Sequence, residues 1–318
     1  MSTVGLVLGG GGITGAAFHF GTIMALEMAT GWDPNSADVV VGTSGGSFVA
    51  AAIRGDAVHP DTFVGTGETK EEIHDWLTSY LYRRGTPRGG IRWLRKGLLP
   101  SMRHPSLYAA LGSPGIYLTE GIAEWVSDTA GEIANSWPER ATAIVAYDLD
   151  TRSRVPFGTQ AAPEVSLAQA VAASSAVPFV YEPVKIEGRW YADGGLASGT
   201  SADLVLALPE PLDLVLIVAP LAANAPRRSG RFYEDLFDKV GRTALASEIA
   251  KIRAAWPETE ILVLRPDEHV LEIARPNPMS VTAAIPTFLT TLRSMKYELA
   301  HSSVWRVLEQ HLVSSARR

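Results

Sequence analysis

The sequence predicts an α/β fold: three α/β/α layers around a mostly parallel central sheet. Near-continuous apolar runs stand at 4–8, 39–41, 141–147, 212–218 and 260–264, the pattern of strands buried on both faces. Helical stretches alternate with these strands, so the sheet is covered on each side. Two of the strands run directly into glycine-rich turns, at 9–12 and 42–46, as a tight strand-to-helix reversal requires.

The whole chain narrows the function classes. Its 318 residues are 46% hydrophobic and 19% charged, an ordinary globular composition with ample core. No fixed-period repeat or low-complexity linker divides it, so one domain over 1–318 is expected. A net charge of −6 argues against general nucleic-acid binding. The absence of cysteine excludes disulfides, thiolate metal sites and cysteine nucleophiles. No metal-ligand cluster is evident, and neither metal nor cofactor is expected. Met1-Ser2-Thr3-Val4 carries no basic leader, and no apolar segment reaches the length of a membrane span. A cytoplasmic location is expected, with room for peripheral membrane contact.

The first strand, 4–8, runs into Gly9-Gly10-Gly11-Gly12-Ile13-Thr14-Gly15. A helix over 16–28 follows, with Phe18, Thr22, Ala25 and Ala29 placed to line one face. Three readings compete for the glycine run. Gly10, Gly12 and Gly15 fit the dinucleotide pattern Gly-x-Gly-x-x-Gly, but that reading needs an acidic residue closing the second strand. Here that strand ends in Gly-Thr-Ser. A Walker-type phosphate loop needs a lysine after the glycines, and none is present. The third reading is an oxyanion hole, in which consecutive glycines let backbone N–H groups converge on a developing negative charge.

Only the third reading also uses the next segment. Val39-Val40-Val41 is a buried strand, Gly42-Thr43-Ser44-Gly45-Gly46 fits the Gly-x-Ser-x-Gly nucleophile elbow, and an alanine-rich helix runs to about Arg54. In such a turn the serine stands above the sheet at the positive end of the following helix. The bland alternative is a loop with a capping serine.

A loop over 55–69 and a helix with Ile73, Trp76, Leu77 and Tyr80 on one face come next. Residues 76–119 contain no Asp or Glu but carry Arg83, Arg84, Arg88, Arg92, Arg95, Lys96 and Arg103 among aromatics and leucines. This cap-like segment suits an anionic membrane surface or lipid headgroups. The alternative is a solvated cap whose arginines pair with acids elsewhere.

Further on, a helix is expected over 118–129, strands at 141–147 and 155–157, and a small-residue helix over 165–174. Short strands flanking Glu187-Gly188 form a hairpin that delivers Asp193 into the turn Asp193-Gly194-Gly195. Strands at 212–218 and 260–264 bracket a long helix over 231–255. A last helix, 281–314, is expected to be interrupted near Pro286.

Gly10-Gly11-Gly12-Ile13-Thr14-Gly15, Gly42-Thr43-Ser44-Gly45-Gly46 and Asp193-Gly194-Gly195, in this order, resemble the patatin-like phospholipase family. Ala173-Ser174-Ser175-Ala176-Val177-Pro178-Phe179 is similar to the same family's bacterial members. The likeness covers roughly residues 4–200. It implies a serine acyl hydrolase acting on lipid or acyl-ester substrates through a Ser–Asp dyad. Ser44 would be the nucleophile, Asp193 the base, and the backbone of Gly10, Gly11 and Gly12, together with Gly45, the oxyanion hole. Two departures stand out. The family loop usually carries Arg or Lys where this chain has Thr14, and Asn-x-Pro shortly after Asp-Gly-Gly is replaced by Leu196-Ala197-Ser198-Gly199-Thr200. They bear on specificity more than on the dyad.

Three rivals share these residues. Ser44 and Asp193 with His269 or His301 stand in the chain order of an α/β-hydrolase triad. A catalytically silent lipid- or nucleotide-binding protein would keep the fold, and an acyltransferase would pass the acyl group to an alcohol instead of water.

Overall fold

The computed structural model describes residues 2–65, 67–85, 115–224, 232–274 and 277–313, with 63–64 and 232–240 described by backbone alone. Strands β1 (Val4–Leu8), β2 (Val39–Thr43), β9 (Leu214–Val218) and β10 (Glu260–Leu264) join β5 (Ala141–Asp148) in the parallel order β10-β9-β1-β2-β5. Antiparallel strands complete the eight-stranded sheet beyond β5: β6 (Ser153–Phe157), β7 (Val184–Ile186) and β8 (Arg189–Asp193). A separate pair, β3 (Arg83–Arg84) and β4 (Tyr117–Leu118), is antiparallel.

Alternate residues of each central strand feed two cores, as a pleat buried on both faces demands. Leu6, Leu8, Val40, Ile144, Leu216 and Leu264 face the larger core. Helices α1 (Gly12–Thr30), α2 (Gly45–Arg54), α3 (Pro60–Val64), α4 (Lys70–Leu81), α5 (Glu120–Ala130) and α6 (Leu167–Ser174) belong to that half of the chain. Val7, Val39, Val41, Val145 and Ile217 face the smaller core, closed by Leu245 and Ile252 of α7 (Phe232–Ala255) and by Trp256 just after it. The C-terminal helices α8 (Glu268–Ala274), α9 (Ala284–Ala300) and α10 (Ser302–His311) return to the larger core. The result is the expected three-layer α/β/α arrangement.

Several boundaries differ from expectation for physical reasons. Helix α1 begins at Gly12 because the glycine run itself supplies its first turn. It is buried on nearly every side, since α9 packs across it: a Cβ on Gly21 would meet the Thr291 side chain at 2.8 Å. The loop over 55–69 contains α3. The last helical stretch breaks at His301, whose extended backbone separates α9 from α10, and not at Pro286. Pro286 is the third residue of α9, within the first turn, where a missing N–H removes no helical bond. Glu187 and Gly188 both have positive φ, 47° and 86°, giving the β7–β8 hairpin the turn whose twist matches its strands.

Of the basic segment, 86–114 lies outside the described residues. Arg83 pairs with Glu124 at 2.5 Å, so at this position the paired alternative holds. Among the described residues no helix is long and apolar enough to cross a membrane.

Candidate active site

Strand β2 ends at Thr43, and Ser44 turns the chain with φ 53° and ψ −126° into α2. A positive φ is strained for a residue with a Cβ and persists only where neighbours over-determine it. Three hydroxyls do so. Ser174 Oγ accepts the Ser44 N–H at 2.9 Å and donates to the Val145 carbonyl at 2.6 Å. Ser47 Oγ donates to the Ser44 carbonyl at 2.6 Å, and Ser175 Oγ reaches the same carbonyl at 3.4 Å. The Ser44 Oγ donates to Asp193 Oδ2 at 2.6 Å.

The meeting of Ser44 and Asp193 is a product of sheet register. Residues 144–148 of β5 pair with β6 along one edge. On the opposite edge β2 occupies positions up to Val145, paired with Thr43, and β8 takes over at Ala146, paired with Asp193. Strand β2 runs parallel to β5 and β8 antiparallel, so their C-terminal ends abut head to head. Residues 149 positions apart in the chain thus become direct neighbours.

Asp193 is 6% exposed. Burial pushes its carboxyl up from 3.8 to about 6, against the opposing pull of the Ser44 hydroxyl and of the Gly195 N–H, which donates to Oδ1 at 2.7 Å. Its Oδ1 is thereby fixed while Oδ2 faces the serine.

The glycine loop lies against the elbow: a Cβ on Gly10 would stand 3.3 Å from Ser44 Cβ. The Gly9 N–H donates to Val218 and the Gly10 N–H to Gly199, at 3.0 and 2.7 Å. Gly10 is therefore engaged by a carbonyl of the segment after Asp-Gly-Gly and has no N–H to offer an oxyanion. Gly12 and Gly45 open α1 and α2, where first-turn N–H groups lack helical acceptors, and both line the cavity that contains Ser44. Gly11 caps α1 and lines a neighbouring cavity of about 240 Å³ together with Thr14.

His19 Nε2 lies 2.6 Å from the Gly9 carbonyl. A carbonyl only accepts, so Nε2 carries the proton. Complete burial lowers the imidazole pKa from 6.5 to about 4, with the Gly9 bond opposing. His19 is thus a neutral clamp on the glycine loop; the only sequence signal for it was a histidine within an apolar helix.

The Ser44 cavity, about 470 Å³, is walled by Phe48, Leu81, Ile122, Trp125, Val177, Tyr181 and Met279 among others. Trp125 anchors one wall, with ring centroids 4.0 Å from Phe48 and 5.6 Å from Trp76. Thr14 is buried and lines the neighbouring cavity, bonded to the Ala274 and Pro278 carbonyls. The triad alternative fails on geometry. Asp193 contacts the serine directly, and His301 is exposed and bonded to Ser303. His269 lies in the opening turn of α8 and is not among the hydrogen-bond partners of either residue. Among the described residues no three His, Asp or Glu side chains are grouped to hold a metal.

Comparison with known proteins bears on the same residues. Uncharacterized NTE family proteins of Mycobacterium bovis and of two Mycobacterium tuberculosis strains are each 33% identical over 213 residues, covering 64% of this chain and 48% of theirs. The chain spans about half the length of these relatives. Human GIVD cytosolic phospholipase A2 aligns over 98% of this chain and 63% of its own, with 12% identity and a TM-score of 0.46. VipD from Legionella pneumophila aligns over 93% and 67%, with 14% identity and a TM-score of 0.35. The model of the patatin-like phospholipase family matches residues 6–206, a span that contains the glycine loop, the elbow and Asp193. This chain therefore belongs to the patatin-like phospholipase family.

Proposed function

We propose that the protein is a serine acyl hydrolase that cleaves fatty-acyl esters of phospholipids or related lipids through a Ser44–Asp193 dyad. The observation that carries this reading is the 2.6 Å hydrogen bond from Ser44 Oγ to Asp193 Oδ2 beside an apolar cavity. Ser44 Oγ attacks the ester carbonyl carbon while its proton passes to Asp193 Oδ2. The carbonyl oxygen becomes an oxyanion, held by N–H groups of Gly12 and Gly45, with Gly11 next to them at the cap of α1. Collapse of the tetrahedral intermediate expels the alcohol, which takes the proton from Asp193 and leaves an acyl-serine. Water then attacks the acyl carbon, Asp193 accepts its proton, and the fatty acid departs as Ser44 regains a proton.

An ordinary aspartate is too weak a base for this step at neutral pH. Burial at this site raises its basicity, and the Gly195 N–H holds it in line. Peripheral contact with a lipid surface belongs to the same reading. Ile116 and Phe179 are 65% and 60% exposed. They neighbour Tyr117 and Val180, which are joined by a backbone hydrogen bond, and Tyr181 of the cavity wall follows.

The test is labelling by a fluorophosphonate probe alongside turnover of a medium-chain p-nitrophenyl ester. Wild type should label and turn over, while folded Ser44→Ala and Asp193→Asn lose turnover by about 10⁴-fold or more. Undiminished turnover in Ser44→Ala would overturn the reading.

A further inference from the structure

Met279 comes from outside residues 6–206, yet it lines the Ser44 cavity. Its sulfur stands against the glycine loop: a Cβ on Gly12 would lie 2.8 Å from Met279 Sδ. Gly12 takes φ +63° there, so both its conformation and its missing side chain make room for the thioether.

The turn bearing Met279 is held from three directions. The Tyr82 hydroxyl donates to the Met279 carbonyl. Asn277 Oδ1 accepts the Met279 N–H at 3.1 Å, and the Ser280 N–H donates to the Asn277 carbonyl at 2.9 Å, closing the turn. Thr14, in the first turn of α1, grips the preceding chain twice. Its N–H donates to the Pro278 carbonyl at 3.0 Å and its Oγ1 to the Ala274 carbonyl at 3.2 Å. Thr14 is 3% exposed, so its polar groups serve this docking and not solvent.

We propose that Met279 is a specificity-determining residue that selects against acyl groups branched next to the carbonyl, and that Thr14 is the positioning residue that sets it there. This rests on the acyl-hydrolase reading above. Met279 touches Gly12, whose N–H lies where the ester oxygen is held in that reading. Its side chain then borders the acyl carbons nearest the carbonyl and leaves the rest of the apolar lining, Phe48, Leu81, Ile122 and Trp125, to the remaining acyl carbons. A linear acyl group passes the thioether; a substituent on the first acyl carbon meets it.

The experiment compares kcat/KM for p-nitrophenyl butyrate and p-nitrophenyl 2-methylbutyrate, with the branched-to-linear ratio of each variant divided by that of wild type. Intrinsic ester reactivity cancels in that quotient. Met279→Ala should raise it at least about tenfold, the scale of one methyl group in an apolar pocket. Met279→Phe should lower it, and Met279→Leu, which conserves volume, should leave it near one. Thr14→Val, keeping its N–H bond and losing the hydroxyl, should move the quotient in the direction of Met279→Ala, and Thr14→Ser should restore it. Quotients near one in both Met279→Ala and Met279→Phe, in proteins whose Ser44 still labels with fluorophosphonate, would overturn the proposal and leave the hydrolase standing. A folded wild type that neither labels nor turns over overturns the hydrolase reading, and the selectivity falls with it.

Discussion

The elbow and the glycine loop are two versions of one local device. Each is a buried strand, a turn and a helix, and they leave adjacent parallel strands side by side. They differ in what grips the turn. Around the elbow the grip comes from side chains, the hydroxyls of Ser174, Ser47 and Ser175 on the main chain of Ser44. Around the glycine loop it comes mainly from main chain, the Val218 and Gly199 carbonyls on Gly9 and Gly10, with His19 on the Gly9 carbonyl. The difference follows from what each turn presents. The elbow offers a side chain, so its backbone is fixed and its hydroxyl is left to Asp193. In the proposed mechanism the glycine loop offers N–H groups, so side chains are absent from it and anchoring falls to the carbonyls of β9 and of the segment that follows Asp193.

The largest expected effect comes from forcing these two turns apart. A Cβ on Gly46 would lie 2.2 Å from the Leu8 carbonyl oxygen and 2.6 Å from that of Gly9. Both are backbone atoms at the end of a buried strand, with no flexible side chain to yield. Gly46→Ala should cost upwards of about 3 kcal/mol, read as a lowered urea midpoint. A wild-type midpoint would mean that the elbow and the glycine loop are not packed as described.

Each turn is also held by a buried titrating group from elsewhere in the fold, Asp193 on Ser44 and His19 on the Gly9 carbonyl, and the two shift in opposite directions. Folded Asp193 keeps its proton up to about pH 6, whereas an unfolded aspartate releases it near 3.8. Between those values the folded state binds more protons, so stability falls as pH rises and the cost stands in full above pH 6. His19 runs the other way. Unfolded histidine takes a proton near pH 6.5 and the folded one only near 4, so stability is complete above 6.5 and is lost on acidification through that window. Each displacement corresponds to about 3 kcal/mol, and in wild type the two largely offset each other between pH 4 and 6. Asp193→Asn should abolish turnover yet gain about 2–3 kcal/mol at pH 7, an advantage that shrinks to nothing below about pH 4. Chemical denaturation at several pH values reads it. A pH-independent difference would mean that the buried carboxylate is not the source.

The same contrast explains what the sequence disclosed. Both turns were legible because a glycine at a close approach and a run of β-branched residues are local signals, and so was the hairpin that ends in Asp193. The contact between Ser44 and Asp193 was legible only by resemblance, because the end-to-end abutment of β2 and β8 along β5 has no short-range signature. The expectation for Gly10 went astray for the same reason, since its partner, Gly199, is distant in the chain. His19 and Met279 were missed: one acts through a buried ring nitrogen, the other arrives from a turn with no motif. The break at His301 escaped notice because Pro286 is the stronger local signal, although a first-turn proline interrupts nothing.

Ser174 supplies the smallest and sharpest test of how side chains hold the elbow. Along β5, Val145 is the last residue whose ladder position β2 fills, opposite Thr43. One residue later the chain turns upward, and the Ser44 N–H needs a substitute acceptor. The Ser174 hydroxyl, fully buried, provides it while returning its own proton to Val145. It relays the sheet's hydrogen bonding one position past the end of the strand. Gly194 leaves space beside the same carbonyl, for a Cβ there would lie 2.1 Å from the Val145 oxygen. Ser174→Ala removes the relay and strands the buried N–H of Ser44, a loss of about 1–3 kcal/mol. Because the N–H belongs to Ser44 itself, kcat should fall about tenfold or more with KM little changed, and Ser174→Thr should restore much of it if its methyl group is accommodated. A fall in stability with kcat intact would instead make Ser174 a prop for the sheet edge alone, and the elbow's φ of 53° would then be fixed by Ser47 and the helix that follows.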